Sequence, residues 1–86
     1  MPRISEFFGI VIYLHWRDHG IPHFHAVYAE AEASIAIDDL SVLSGKLPPR
    51  ALGVVVEWAS LHREELRRAW QQAMKLKPLS QIEPLR

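Results

Sequence analysis

The period of the apolar residues changes once along this chain, and that change constrains the fold more than any other feature. From Ile10 to Ile37 apolar side chains return at every second position, the pattern of half-buried strands. From Leu52 to Ala73 they return every third or fourth, through Val55, Val56, Ala59, Leu66 and Trp70. Strands followed by a helix predict an α+β domain: a three- to four-stranded antiparallel meander packed against one long C-terminal helix. At 86 residues the chain is expected to be one domain, 1–86, with a β-sheet part over 1–45, a helix over 46–77 and an irregular tail over 78–86.

Ile10, Ile12, Leu14 and Trp16 share one strand face, with Val11, Tyr13, His15 and Arg17 on the other. Asp18-His19-Gly20-Ile21-Pro22 is turn chemistry, because Gly permits positive φ and Pro cannot donate to a ladder. A second strand is expected over His23–Ala29, a third from Glu32 to Ile37, and a short fourth at Val42-Leu43. If Glu30-Ala31 is the hairpin loop, Tyr28 opposes Ala33, Ala26 opposes Ile35 and Phe24 opposes Ile37, all apolar pairs. Pairing Trp16 with Phe24, Leu14 with Ala26 and Ile12 with Tyr28 extends the same core face. The opposite face then carries Val11, Tyr13, His15, His23, His25, Val27, Ser34 and Ala36, turned away from the helix.

Pro48-Pro49 suits a helix start, and no breaker follows until Pro78. A helix over 49–77 would run about 40 Å at 1.5 Å per residue. A seven-residue strand spans only about 23 Å. Leu66, Trp70 and Ala73 therefore need other cover, from Leu79, Ile82 and Leu85 of the tail or from a second copy in a homodimer. His62 sits at the edge of the apolar stripe and reads as a satisfied core-edge residue, with Trp58 and Trp70 as packing anchors.

Ten Lys+Arg balance ten Asp+Glu, which argues against a highly basic nucleic-acid module. The balance is uneven: residues 1–45 hold two cations and six carboxylates, and residues 46–86 hold eight cations and four carboxylates. The halves should attract each other. With no cysteine, disulfides, thiolate metal sites and cysteine nucleophiles are excluded. The segment Met1-Pro2-Arg3-Ile4-Ser5-Glu6 lacks the apolar stretch of a cleavable leader, and Phe7–Leu14 is too short to span a bilayer. A cytoplasmic protein with no membrane association is expected.

The densest chemistry lies in Asp18-His19-Gly20-Ile21-Pro22-His23-Phe24-His25. Imidazole exchanges protons near neutral pH and, when neutral, ligates metals. His23 and His25 fall on one strand face, and with His15 they form a candidate metal set for zinc or another transition ion. The same residues admit a histidine-dependent ribonuclease: His23, His25 or His15 as acid and base, Asp18 orienting a ring, Arg17 or Lys46 as the cation. The plain alternative is that the rings bond backbone carbonyls and fix the loop. As a binding surface the candidates are His19, His23, His25, Tyr13 and Arg17.

Ile4-Ser5-Glu6-Phe7-Phe8-Gly9-Ile10-Val11-Ile12-Tyr13 and Asp18-His19-Gly20-Ile21-Pro22-His23-Phe24-His25-Ala26 resemble a family of small bacterial proteins, the domain of unknown function 4160 (DUF4160). Gly45-Lys46-Leu47-Pro48, Glu57-Trp58-Ala59, His62-Arg63-Glu64-Glu65-Leu66 and Ile82-Glu83-Pro84-Leu85 are similar to it too, so the likeness spans nearly the whole chain. Ile21 stands where the family often has a second proline. The resemblance implies a small sheet-plus-helix domain, often encoded beside another small protein in toxin–antitoxin-like pairs. It implies no catalytic residues and marks His19, His23 and His25 as lying in the signature segment. The expected function is a bacterial protein-interaction module, a candidate component of such a pair. It would dock through the histidine-bearing face or the far end of the helix.

Overall fold

A computed structural model describes residues 2–86. Met1, the first residue of the expected domain, lies outside the described residues. Five strands form one antiparallel sheet in chain order: β1 (Arg3–Phe7), β2 (Ile10–Tyr13), β3 (His23–Tyr28), β4 (Ala31–Ala36) and β5 (Val42–Lys46). Two helices follow, α1 (Pro49–Leu61) and α2 (Arg63–Met74). The α+β architecture agrees with the periodicity. The sheet has one strand more than expected, and the expected helix over 46–77 is two helices, with Lys46 belonging to β5.

The additional strand is β1. Its register with β2 shifts between Arg3 and Ser5, so Ile4 and Ser5 are both buried and period-2 alternation is lost. It turns into β2 through Phe8-Gly9, both at positive φ (51° and 77°), as a type I′ hairpin turn requires.

β3 pairs with β4 as Phe24–Ile35, Ala26–Ala33 and Tyr28–Ala31, and with β2 as Ile12–Ala26 and Ile10–Tyr28. Both registers differ from the expected ones by two residues, and the β3–β4 loop is Ala29-Glu30, with Ala29 at φ 53°. A slip of two preserves the face of every side chain. Ile10, Ile12, Leu14, Phe24, Ala26, Ala33, Ile35 and Ile37 are accordingly buried. Two expected core residues are not. Trp16 is 48% exposed because β2 ends at Tyr13 and the chain leaves the sheet, and Tyr28 is 37% exposed at the hairpin end.

Helix α1 lays Ala51, Val55, Trp58 and Ala59 on the core face. The Trp58 ring lies 5.1 Å from Phe7 and 5.9 Å from Phe24, and its Nε1–H donates to the Glu83 carbonyl at 2.8 Å. At His62 the backbone leaves the helical region (φ −128°, ψ 27°). Its N–H closes α1 on the Ala59 carbonyl, and its carbonyl opens α2 by accepting from Leu66 N–H. Glu64 and Glu65 occupy the first turn of α2, where the helix dipole favours carboxylates, and Glu65 Oε1 lies 2.7 Å from His62 Nδ1.

Leu66, Trp70 and Ala73, for which the length argument required other cover, are buried within one chain. The Arg17 N–H donates to the Ala73 carbonyl at 3.3 Å, and Trp16 Nε1–H to the Lys77 carbonyl at 3.3 Å. The tail is irregular but held: Ile82 N–H donates to the Ile4 carbonyl at 2.8 Å and Gln81 Nε2 to the Arg3 carbonyl at 2.7 Å, shielding the β1 edge. The β5 edge has a neighbour on one side only, and all five of its residues are exposed. No helix among the described residues is long and apolar enough to cross a membrane.

Candidate functional site

The loop between β2 and β3 folds back over the start of β3 and places Asp18 above two histidines. His23 and His25 share a face because they lie two apart on a strand. Asp18 Oδ1 accepts the His19 N–H at 2.8 Å, which orients the carboxylate. Its Oδ2 then stands 2.9 Å from His23 Nε2 and 3.1 Å from His25 Nε2.

The two rings are held differently. His23 Nδ1 lies 2.8 Å from the Ile21 carbonyl. Both partners of His23 are acceptors, so both contacts are hydrogen bonds together only when both ring nitrogens donate. His25 has the Ser34 hydroxyl at 3.1 Å from Nδ1, with Glu32 Oε2 at 3.9 Å. A neutral ring suffices there: Nε2–H donates to Asp18 and Nδ1 accepts from Ser34. Ser34 and Tyr13 are the residues that flank His25 in register, on β4 and β2. His15 meets His25 edge-on, with ring centroids 4.2 Å apart, and the His23 and His25 rings lie 5.0 Å apart.

Burial by itself would raise the Asp18 carboxyl. The hydrogen bond with His25, the His19 N–H and the charges of His23 and His25 outweigh it and bring the pKa down to about 2. His15 is held below its ordinary value, first by burial and next by the charge of His25, with Asp18 and Glu32 opposing.

The three rings expected on one side of the sheet do gather, but that side is not free of helix. The break at His62 brings Trp70 of α2 to 5.1 Å from the His23 ring, leaving His23 8% exposed. Of the other expected binding residues, His19 enters through its backbone N–H, Arg17 is exposed at φ 53°, and Tyr13 is half-buried beside His25. Lys46 lies opposite Glu32 on β5. His62 is engaged by Glu65 and lies 5.6 Å from the Trp58 ring, the core-edge role expected of it.

A second feature had no counterpart in the sequence reading. A groove of about 420 Å³ is lined by Phe8, Ile10, Tyr28, Pro48, Arg50, Ala51 and Val54. It joins the β1–β2 turn to the first turns of α1. At the far end of the helical region Arg17 and Trp16 bond the Ala73 and Lys77 carbonyls, and Met74 and Leu76 stay exposed. The available signal was Phe8-Gly9, an aromatic residue in a hairpin-turn dipeptide.

A family model described as "Domain of unknown function (DUF4160)" matches residues 9–71. No curated protein and no solved structure matches the chain.

Proposed function

We propose, for a chain that belongs to the DUF4160 family, a role as a small bacterial protein-interaction module, one component of a toxin–antitoxin-like pair, that docks its partner in the groove beside Phe8. Phe8 is the observation that carries this reading. Its backbone is left-handed (φ 51°) and its ring is 64% exposed. A left-handed backbone costs a residue with a Cβ about 1 kcal/mol, and a ring this exposed, with Phe7 edge-on at 6.5 Å as its aromatic neighbour, recovers only part of that from the fold. A ring presented to a partner accounts for both. The groove is mainly apolar with Arg50 as its cation, so it suits a partner segment with an apolar anchor and a nearby carboxylate.

The test is co-expression with the product of the neighbouring gene and recovery of the complex. The parent chain should co-purify with it. Phe8→Asn, which keeps a residue tolerant of the turn, and Val54→Asp should abolish recovery while leaving the fold intact. Absence of any complex, or a complex indifferent to Phe8→Asn, would overturn the proposal.

The ribonuclease alternative would run on His15 with His25 beside it, their ring centroids 4.2 Å apart. Loss of RNA cleavage in His25→Ala, with partner docking retained, would favour it.

A further inference from the structure

The cluster around Asp18 lies apart from the groove, and its donors have metal-ligand spacing. His15, Asp18 and His25 each offer one ligand atom, and these atoms lie within 4.8 Å of one another. The closest pair, His25 Nε2 and Asp18 Oδ2, stands 3.1 Å apart. Two ligands bound at about 2.0–2.2 Å, at a right or tetrahedral angle, stand about 3 Å apart. This pair can share an ion without backbone movement. His15 meets the same ring edge-on, so a side-chain rotation completes the set.

We propose that His15, Asp18 and His25 together hold one divalent first-row transition ion, zinc foremost. Two imidazoles and one carboxylate suit such an ion, whereas magnesium and calcium favour all-oxygen sets. Three protein ligands leave a coordination position open to water or an incoming group.

The surroundings fit ligation as well as the donors do. A metal-bound imidazole typically donates its other N–H to a nearby oxygen, which fixes the ring. Behind His25 Nδ1 stand Ser34 Oγ at 3.1 Å and Glu32 Oε2 at 3.9 Å. When Nε2 binds the ion, its proton passes to Nδ1 and the Ser34 hydroxyl turns from donor to acceptor. The ring stays neutral and no proton is lost. His23, outside the ligand set, keeps its hydrogen bond to Asp18 Oδ2, and the His19 N–H keeps its bond to Oδ1. The carboxylate is thereby oriented from both sides.

The site stands or fails independently of partner docking. The full chain, purified without a polyhistidine tag and stripped with a chelator, is titrated with Zn²⁺ by calorimetry and with Co²⁺ by visible absorption. One ion per chain is expected, with cobalt bands typical of nitrogen and oxygen ligands. His15→Ala should remove binding while far-UV circular dichroism stays unchanged, since among the described residues no hydrogen bond depends on that ring. Ser34→Ala should weaken binding about 10-fold, and His62→Ala should leave it unaltered. No binding by the parent chain, or equal affinity in folded His15→Ala, would overturn the assignment.

Discussion

Asp18 and His23 meet across the β2–β3 loop: Oδ2 of the carboxylate lies 2.9 Å from His23 Nε2, while His23 Nδ1 reaches the Ile21 carbonyl three residues further along the same loop. The imidazole thus staples both limbs of the β2–β3 loop to the start of β3. It is enclosed by Trp70 at 5.1 Å, in surroundings where a charge-assisted hydrogen bond counts for more than in water. Asp18→Asn should therefore lower unfolding free energy by about 1.5–3 kcal/mol. Urea denaturation measures this, and a change under about 0.5 kcal/mol would mean that the contact contributes nothing beyond an exposed pair.

The same carboxyl predicts an acid limb of stability. Its folded value of about 2 lies below the ordinary 3.8, so its contribution is complete above the unfolded value and lost as pH falls through the folded one. The difference between parent and Asp18→Asn should shrink below about pH 4 and be lost below about pH 2. His15 acts at higher pH with the same outcome. Its folded value lies below 6.5, so below that point the unfolded chain takes up the proton first and stability falls. His15→Ala should flatten the stability curve just below pH 6.5, as denaturation at a series of pH values would show. A curve unchanged in that range would refute the assignment.

Two glycines should respond to alanine in opposite directions. Gly45 holds φ 77°, and a Cβ there would collide with the Glu32 backbone and lie 3.0 Å from Ala33 Cα. Gly45→Ala should cost about 1–3 kcal/mol and loosen β5 from β4. Gly53 sits exposed inside α1 with open space where the Cβ would go. Gly53→Ala should add about 1 kcal/mol. Paired thermal melts decide it, and equal effects would contradict the geometry.

Phe8→Asn should raise stability by roughly 0.5–1 kcal/mol, because asparagine tolerates the left-handed region and the turn prefers Asn-Gly. A variant more stable yet unable to dock would place the cost of Phe8 in function. A destabilised one would show that the ring packs on the fold itself.

Trp58 couples the tail to the core. Trp58→Phe keeps most of the buried ring but removes the 2.8 Å hydrogen bond to the Glu83 carbonyl. The expected loss is about 1 kcal/mol, with faster amide exchange at Ile82, whose N–H pairs with Ile4. Unchanged exchange at Ile82 would separate the two contacts.

The core face and the histidine face were legible because both depend on parity alone. The expected pairings were two residues out on either side of β3, yet every side chain from Ile10 to Leu14 and from Phe24 to Ile37 kept its face, since a strand repeats every two residues. β1 was not legible, because its bulge buries Ile4 and Ser5 together and erases the alternation. The break at His62 left a trace in Glu64-Glu65, a pair of acids suited to the first turn of a new helix. Within one continuous apolar stripe they read equally well as surface residues of a single long helix.

The amino-acid order by itself determined the class of fold, the two faces of the sheet and the gathering of histidines in one segment. Those follow from periods of two and of three to four residues, which are local properties of the backbone. Only the tertiary structure decided that Asp18 reaches across to His23 and His25, that Trp70 encloses one of those rings, and that Phe8 walls a groove with α1. Each of these depends on where a loop or a helix break sends the chain. That is set by the packing of residues distant in sequence, which no local period records.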